Sequence, residues 1–343
     1  MVSTDLERTA QALVSDRKGL LAADETVSTL SRRLVARGIE STPDSRRAYR
    51  EMLFTTPGIS ECISGVILHD ETIRQRSAKG SAFSDLLGRQ GIVSGIKVDR
   101  GASPLSGSSG EHITDGLDSL RDRVKDYATL GARFAKWRAV IVVSDTRPTR
   151  LCLHDNAHAL ARYAVICQEL GLVPIVEAEV MTDGAHTIER CEEATGAVLR
   201  EVFDALLDHK VILEGILLKP NMVVPGAMCP QETSSEAVAA ATLRCLRRFV
   251  PAAVPGVAFL SGGQDPFEAT ARLSAINQQS GPKPWKLTFS FGRALQDEAL
   301  GAWGGWPENV TAGQLAFGHR AKCVSLAAAG LYVPAMEEQP AVA

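Results

Sequence analysis

Lys219 closes the apolar stretch Gly215–Leu218 and is followed at once by Pro220. A lysine set directly after a buried strand loses the water around its ammonium, and a neighbouring cation pushes it further toward the neutral amine that attacks a carbonyl carbon. Lys136, in the run Arg133–Arg138 (RFAKWR), is in the right kind of place to be that cation. The chemistry would be Schiff-base formation with a ketone or an aldehyde. The competing reading is a buried lysine held for structural reasons by Glu177 or Glu179. Those two glutamates lie two apart in Leu172–Glu179 (LVPIVEAE), so on a strand both point to one side. Two carboxylates in one site drive one pKa upward, as an acid/base residue needs. The same carboxylates also suit ordinary ion pairs with Lys136 and Lys219, and a Schiff-base lysine needs both a charge environment and a proton shuttle.

A second set of residues suits an anion. Ser261-Gly262-Gly263 follows one apolar run and Phe291-Gly292-Arg293 follows the next. Glycines let backbone N–H groups approach a phosphate closely, and Arg293 adds a forked donor. Ser103–His112 (SPLSGSSGEH) is also rich in glycine and serine and reads mainly as a flexible loop. His154 and His158 have the i, i+4 spacing of two helical zinc ligands, but no HExxH accompanies them, and Asp155-Asn156-Ala157 reads as a helix start. No metal site is expected. His69, at the end of an apolar run, is a further candidate for polarity in the site.

These residues must be positioned by something, and the chain shows a recurrence that could do so. Short apolar runs end in polar residues and are followed by longer helical stretches. The runs are Gly19–Asp24, Gly65–His69, Ile92–Asp99, Arg133–Arg138 continuing into AVIVV, Leu172–Glu179, Gly215–Asn221, Val257–Gly263 and Leu287–Arg293. Between them, Ala157–Glu169, Thr187–Asp208 and Ser235–Phe249 carry helical periodicity. Strands alternating with helices imply a parallel sheet, and eight of them imply an α/β protein, a single (β/α)8 TIM barrel. The polar residues sit at the C-terminal ends of the runs, the end that carries chemistry in such a barrel. Asp24, Lys97, Asp99, Lys136, Arg138, Glu177, Glu179, Lys219, Ser261 and Ser290 would then converge on one mouth. An open doubly wound sheet would instead spread them along a crevice. With 343 residues and no linker-like block, one barrel domain over residues 1–343 is expected, with a short tail from about residue 333.

Composition removes other classes. Apolar residues are 45% and charged residues 22%, which excludes a disordered chain, a collagen and a disulfide mini-scaffold. With 37 Lys and Arg against 40 Asp and Glu, the net charge is −3, so there is no global field for nucleic acid or an anionic membrane. An anionic ligand must be held by a local cluster of cations. The tryptophans form no platform for stacking bases. Seven scattered cysteines with no CxxC pair read as reduced thiols of a cytosol. The start MVSTDLERTAQALVSD has no apolar core of a secretory signal, and no apolar run approaches the roughly 18 residues of a membrane span. The location expected is cytoplasmic.

The segments Lys18–Thr26 (KGLLAADET), Gly91–Gly101 (GIVSGIKVDRG), Gly131–Val140 (GARFAKWRAV), Ala161–Val180, Leu217–Gly226 (LLKPNMVVPG), Val254–Thr270 (VPGVAFLSGGQDPFEAT) and Leu287–Gln296 (LTFSFGRALQ) together resemble the class I, Schiff-base fructose-1,6-bisphosphate aldolases. The resemblance runs from about residue 5 to about residue 332. It implies a lyase that cleaves fructose 1,6-bisphosphate reversibly to dihydroxyacetone phosphate and glyceraldehyde 3-phosphate in glycolysis and gluconeogenesis, without metal or cofactor, as a homotetramer. By position, Lys219 resembles the Schiff-base lysine, Glu177 the acid/base and Glu179 its supporting carboxylate. Asp24 resembles the residue that orients the substrate hydroxyls, Lys136 the cation beside the imine, and Arg138 its neighbour. Lys97 resembles a contact to the sugar and the distal phosphate. Ser261, Gly262, Gly263, Ser290, Gly292 and Arg293 resemble the site for the phosphate next to the ketone, and Arg33 an arginine that moves onto it.

The chain departs from the family pattern in three places, one of them Phe291 where tyrosine is usual, a change expected to have little effect. Thr26-Val27-Ser28-Thr29 stands where Ser-Thr-Gly-Ser is usual, which keeps hydroxyls at Thr26 and Thr29 but loses the glycine. The chain ends AMEEQPAVA without the family's terminal tyrosine, its last tyrosine being Tyr332. Removing the last eight residues is therefore expected to change enamine protonation little. Alternatives are an aldolase that prefers fructose 1-phosphate or another ketose phosphate, and a non-catalytic sugar-phosphate-binding protein, which loss of Lys219 or Glu177 would have marked.

Overall fold

The computed structural model describes residues 2–338. The eight apolar runs become strands: β1 (Gly19–Ala23), β2 (Ile63–Leu68), β3 (Val93–Lys97), β4 (Phe134–Ile141), β5 (Val173–Val180), β6 (Leu217–Leu218), β7 (Gly256–Phe259) and β8 (Lys286–Phe291). Among the described residues these eight close a parallel barrel in chain order, with β8 pairing back onto β1 through Leu20–Ser290 and Leu21–Phe291. The architecture is a (β/α)8 barrel.

Alternation along the strands decides what the barrel holds. Leu20 and Ala22 of β1, Ile67 of β2, Phe134 of β4, Val173 and Ile175 of β5, Leu217 of β6 and Ala258 of β7 form one apolar cluster. Leu6, Ala10 and Leu13 of the helix Val2–Leu13 join it with Val14, which plugs that end of the barrel. Room for the Phe134 ring comes from glycine: a Cβ on Gly95 would stand 2.2 Å from a ring carbon of Phe134. The alternate strand residues, among them Trp137, Phe289 and Phe291, belong to a second buried cluster built with the helices. Continuing the inward parity past the plug gives Asp24, Lys97, Lys136, Arg138, Glu177, Glu179, Lys219 and Ser290. The same side of the pleat is thus apolar at the closed end and charged at the other.

Several boundaries differ from expectation. The sixth run, read as Gly215–Asn221, pairs only over Leu217–Leu218, because Pro220 has no N–H to continue the ladder. The third ends at Lys97 and the seventh at Phe259, short of Asp99 and Gly263. The stretch Ser103–His112 is no free loop. Ala102–Pro104 pairs antiparallel with His112–Thr114, and the buried Glu111 carboxylate accepts from Thr149 N at 2.8 Å and from Thr149 Oγ1 at 2.5 Å. The helix expected from Ala157 begins at Arg150, capped by Thr149, whose hydroxyl accepts from Cys152 N. Asp155-Asn156-Ala157 is therefore helix interior, and His154 and His158 are exposed on it. The helices Ile188–Asp208 and Ser235–Phe249 match expectation and are capped by Thr187 and Ser234.

All seven cysteines are free. Among the described residues, no helix is long and apolar enough to cross a membrane. Of the last eight residues, 339–343 lie outside the described part, while Glu337 pairs with the buried Arg320. Cutting those eight residues would therefore take the carboxylate partner from a buried guanidinium, which keeps only its hydrogen bonds to Thr270 Oγ1 and Pro266 O, a consequence the sequence alone did not show.

Candidate active site

Four charged groups from four strand ends meet at the open end of the barrel. Lys136 Nζ lies 2.8 Å from Asp24 Oδ2 and 3.0 Å from Glu177 Oε2. Lys219 Nζ lies 3.0 Å from Glu177 Oε1. The Glu177 carboxylate thus bridges two ammonium groups. Lys136, Glu177 and Lys219 are each at most 4% exposed. Backbone pairing fixes their level: Arg138 faces Glu177 across β4 and β5, and Lys219 N donates to Val176 O at 2.8 Å.

Burial alone would raise the Glu177 pKa, yet Lys136, Lys219 and Arg138 together hold it below the usual carboxylate value. Burial likewise opposes ionisation of Asp24, and Lys136, Lys219 and Lys97 overcome it, so Asp24 is held far down. Desolvation would strip the proton from Lys136, but Asp24 and Glu177 keep it charged and raise its pKa. This corrects the expectation that the Glu177–Glu179 pair would push one carboxyl up. The two are not each other's main partners, since Glu179 pairs with Arg138. In the free protein Glu177 is an ionised base.

The remaining residues fall into two groups. Lys97 pairs with the Asp99 carboxylate and donates to Asp99 O at 2.9 Å. Thr26 caps the helix Val27–Val35: its hydroxyl accepts from Thr29 N at 3.2 Å and lies 3.0 Å from Thr29 Oγ1. On the opposite side, Gly262 (φ +58°) and Gly263 (φ +81°) adopt left-handed backbone directly after Ser261. Arg293 opens the helix Arg293–Trp303 behind Gly292, and a Cβ on Gly263 would stand 3.7 Å from its Nη2. The hydroxyl of Ser290, in the inward-parity row, is buried without a hydrogen-bond partner among the described residues. Glycine turns, a helix N-terminus and a guanidinium together make a cradle for a phosphate. Arg33 does not stand free: it pairs with Glu25 and, at 2.8 Å, with Asp297.

The family model for class-I fructose-bisphosphate aldolase matches residues 5–343. The chain belongs to the class I fructose-bisphosphate aldolases. It is 55% identical to the cytosolic fructose-bisphosphate aldolase 4 of Arabidopsis thaliana over 92% of this chain and 80% of that protein. It is 52% identical to fructose-bisphosphate aldolase B of Gallus gallus, over 94% of this chain and 89% of the relative. Among solved structures, fructose-bisphosphate aldolase from Plasmodium falciparum, in complex with TRAP and a small-molecule inhibitor, superposes with a TM-score of 0.95 at 47% identity. That match covers 97% of this chain and 96% of the other.

Beside these residues stand others that the sequence reading did not single out. Asn221 accepts from Val180 N at 3.0 Å and donates to Thr195 Oγ1 at 3.2 Å, tying the segment after Lys219 to β5 and to the helix Ile188–Asp208. Glu25 receives Arg33 together with the buried Arg50, the latter at 2.6 Å. Gln296 donates to Ala22 O at 2.7 Å, bracing β1 just before Asp24. The local signal for Asn221 was its place directly behind Lys219-Pro220. Nothing local pointed to Glu25 or Gln296, because their partners lie far away along the chain. His69, for its part, caps the helix Asp70–Arg74.

Proposed function

We propose that this fructose-bisphosphate aldolase works through an imine between Lys219 and the C2 ketone of fructose 1,6-bisphosphate, with Glu177 as the proton carrier. The observation that carries the reading is the 3.0 Å contact between Lys219 Nζ and the buried Glu177 carboxylate. In its neutral form the Lys219 amine attacks C2. Glu177, 3.0 Å from Lys219 Nζ, takes up the proton that the amine sheds and returns it to the carbinolamine hydroxyl, so that water leaves and Glu177 is ionised again. The protonated imine then withdraws the electron pair of the C3–C4 bond while Glu177 accepts the C4 hydroxyl proton. Glyceraldehyde 3-phosphate leaves, and the enamine takes a proton at C3 and is hydrolysed to dihydroxyacetone phosphate. Asp24 orients the hydroxyls at the cleaved bond, and Lys136 keeps Asp24 and Glu177 ionised. Glu179 and Arg138 buttress that centre.

The phosphate next to the ketone binds at Ser261, Gly262, Gly263, Ser290, Gly292 and Arg293, and Arg33 leaves Glu25 and Asp297 to join it. Lys97, with Thr26 and Thr29, serves the sugar and the distal phosphate. The iminium does the work of an electron sink, so the reaction proceeds without metal or cofactor. The protein acts as a cytoplasmic homotetramer built from one barrel domain per chain; the Arabidopsis relative's name, which carries the word cytosolic, supports the location.

Borohydride reduction in EDTA with dihydroxyacetone phosphate, followed by peptide mapping, tests the core of this. A reduced adduct on Lys219 is expected. An adduct on another lysine, or cleavage that EDTA abolishes, overturns it.

A further inference from the structure

A second constellation lies in the last helix of the fold and the segment that follows it. His319 and Cys323 stand at i and i+4 on the helix Val310–Ala328, one turn apart on one face. Glu337, in the turn Pro334–Glu338, comes back against them. His319 Nε2 is 3.5 Å from Glu337 Oε2 and 3.8 Å from Cys323 Sγ. The three donor atoms all lie within 4.8 Å of one another. A tetrahedral zinc ion with ordinary bond lengths sets its N–O edge at about 3.3 Å and its N–S edge at about 3.6 Å. These two edges need to close by about 0.2 Å each, and the third, between the Cys323 sulfur and the Glu337 oxygen, by up to about 1.3 Å from its bound of 4.8 Å.

We propose that His319, Cys323 and Glu337 bind a thiophilic divalent cation of the zinc type, and that the ion fastens the C-terminal segment onto the last helix. The donor set selects the metal. One imidazole, one thiolate and one carboxylate suit zinc or cobalt, whereas magnesium and calcium take oxygen ligands. Arg320 donates to Glu337 Oε1 and the Tyr332 hydroxyl also hydrogen-bonds the carboxylate, and these outer partners orient it, with Oε2 turned toward His319. On binding, the Cys323 thiol gives its proton to solvent and the thiolate bonds the metal. Thiolate and carboxylate bring two negative charges to the ion, the carboxylate being shared with Arg320, and a water completes four-coordination. The groups come from the helix Val310–Ala328 and the turn after it, neither of which contributes to the lysine–carboxylate centre. The site is therefore separate from the aldol chemistry and from the proposal made for it.

The test uses the full chain, stripped with EDTA and titrated with Co2+. One cobalt per chain is expected, with a thiolate-to-cobalt charge-transfer band and visible d–d bands that Zn2+ abolishes by displacement. In C323S the charge-transfer band is lost. In H319Q, whose side chain is partly exposed and whose loss leaves the Arg320–Glu337 pair intact, Zn2+ affinity falls ~10-fold or more. Zn2+ also slows removal of the C-terminal residues by a serine carboxypeptidase in the wild type and not in H319Q. Absence of a cobalt–thiolate band, or a band that survives in C323S and so belongs to the half-buried Cys62 or Cys229, overturns the site. Binding with no effect on carboxypeptidase digestion overturns the fastening.

Discussion

Replacing Lys136 by methionine keeps much of the length of the side chain and removes its charge. Lys136 contacts Asp24 at 2.8 Å and Glu177 at 3.0 Å inside the barrel. With an effective dielectric constant of about 20, each contact is an attraction of about 6 kcal/mol. Glu177 keeps Lys219 at 3.0 Å, so it loses one of two ammonium partners while its burial penalty stays. Its pKa should then rise from below the usual carboxylate value, because burial opposes ionisation and one of its two ammonium partners is gone. A carboxyl left with one ammonium partner takes up a proton more readily, and the protonated fraction is no longer a base. Cleavage of fructose 1,6-bisphosphate by Lys136→Met should fall by about 10²–10⁴ at pH 7, the usual worth of a positioned base. Part of that loss should return as the pH is raised and the carboxyl ionises. The assay is the pH profile of kcat/KM for both proteins, with folding checked by circular dichroism. A loss that is the same at pH 6, 7 and 9 would refute the reasoning, because Lys136 would then act on the substrate and not through the carboxylates.

Two further predictions concern stability. Asp24 and Glu177 are held below their unfolded values, so the folded protein binds fewer protons near pH 4 than the unfolded chain. Their stabilising share is present above about pH 4 and is lost as pH falls through the lowered folded values, so the urea midpoint should drop steeply below about pH 4 in the wild type. In Asp24→Asn that drop should be shallower, and parallel curves for the two proteins would sink the assignment. Gly95→Ala sets a methyl against the Phe134 ring, where the built Cβ lies 2.2 Å from a ring carbon, and should cost about 1–3 kcal/mol by chemical denaturation. Adding Phe134→Leu should recover part of that cost, whereas strictly additive losses would show that the ring is not the obstacle.

Much of the architecture was legible because it rests on local alternation. Each barrel strand is an apolar run of near-strand length, and parity along it separates the plugged interior from the helix-facing side. Lys219, Glu177, Lys136 and Asp24 stood out because charge at the end of such a run is costly unless it is used or paired. Boundaries were less legible. The helix from Arg150 was recognised only from Ala157, because Thr149, which caps it, is further fixed by Glu111 from a distant hairpin. Ser103–His112 looked free because glycine and serine carry no periodicity, and the pairing that orders it joins residues about ten apart.

Sequence by itself therefore determined the barrel, the residues at its mouth and the resemblance to an aldolase. Only the tertiary structure decided which charge faces which. Glu177 is shared between two lysines while Glu179 goes to Arg138, and Arg33 is held by Glu25 and Asp297. The physical reason is that electrostatic partnership depends on distances of about 3 Å across strands that are far apart in the chain, and spacing within one strand carries no information about them. The same holds for His319, Cys323 and Glu337: the i, i+4 pair can be read from the helix, but its third member meets it only because the chain turns back after Tyr332.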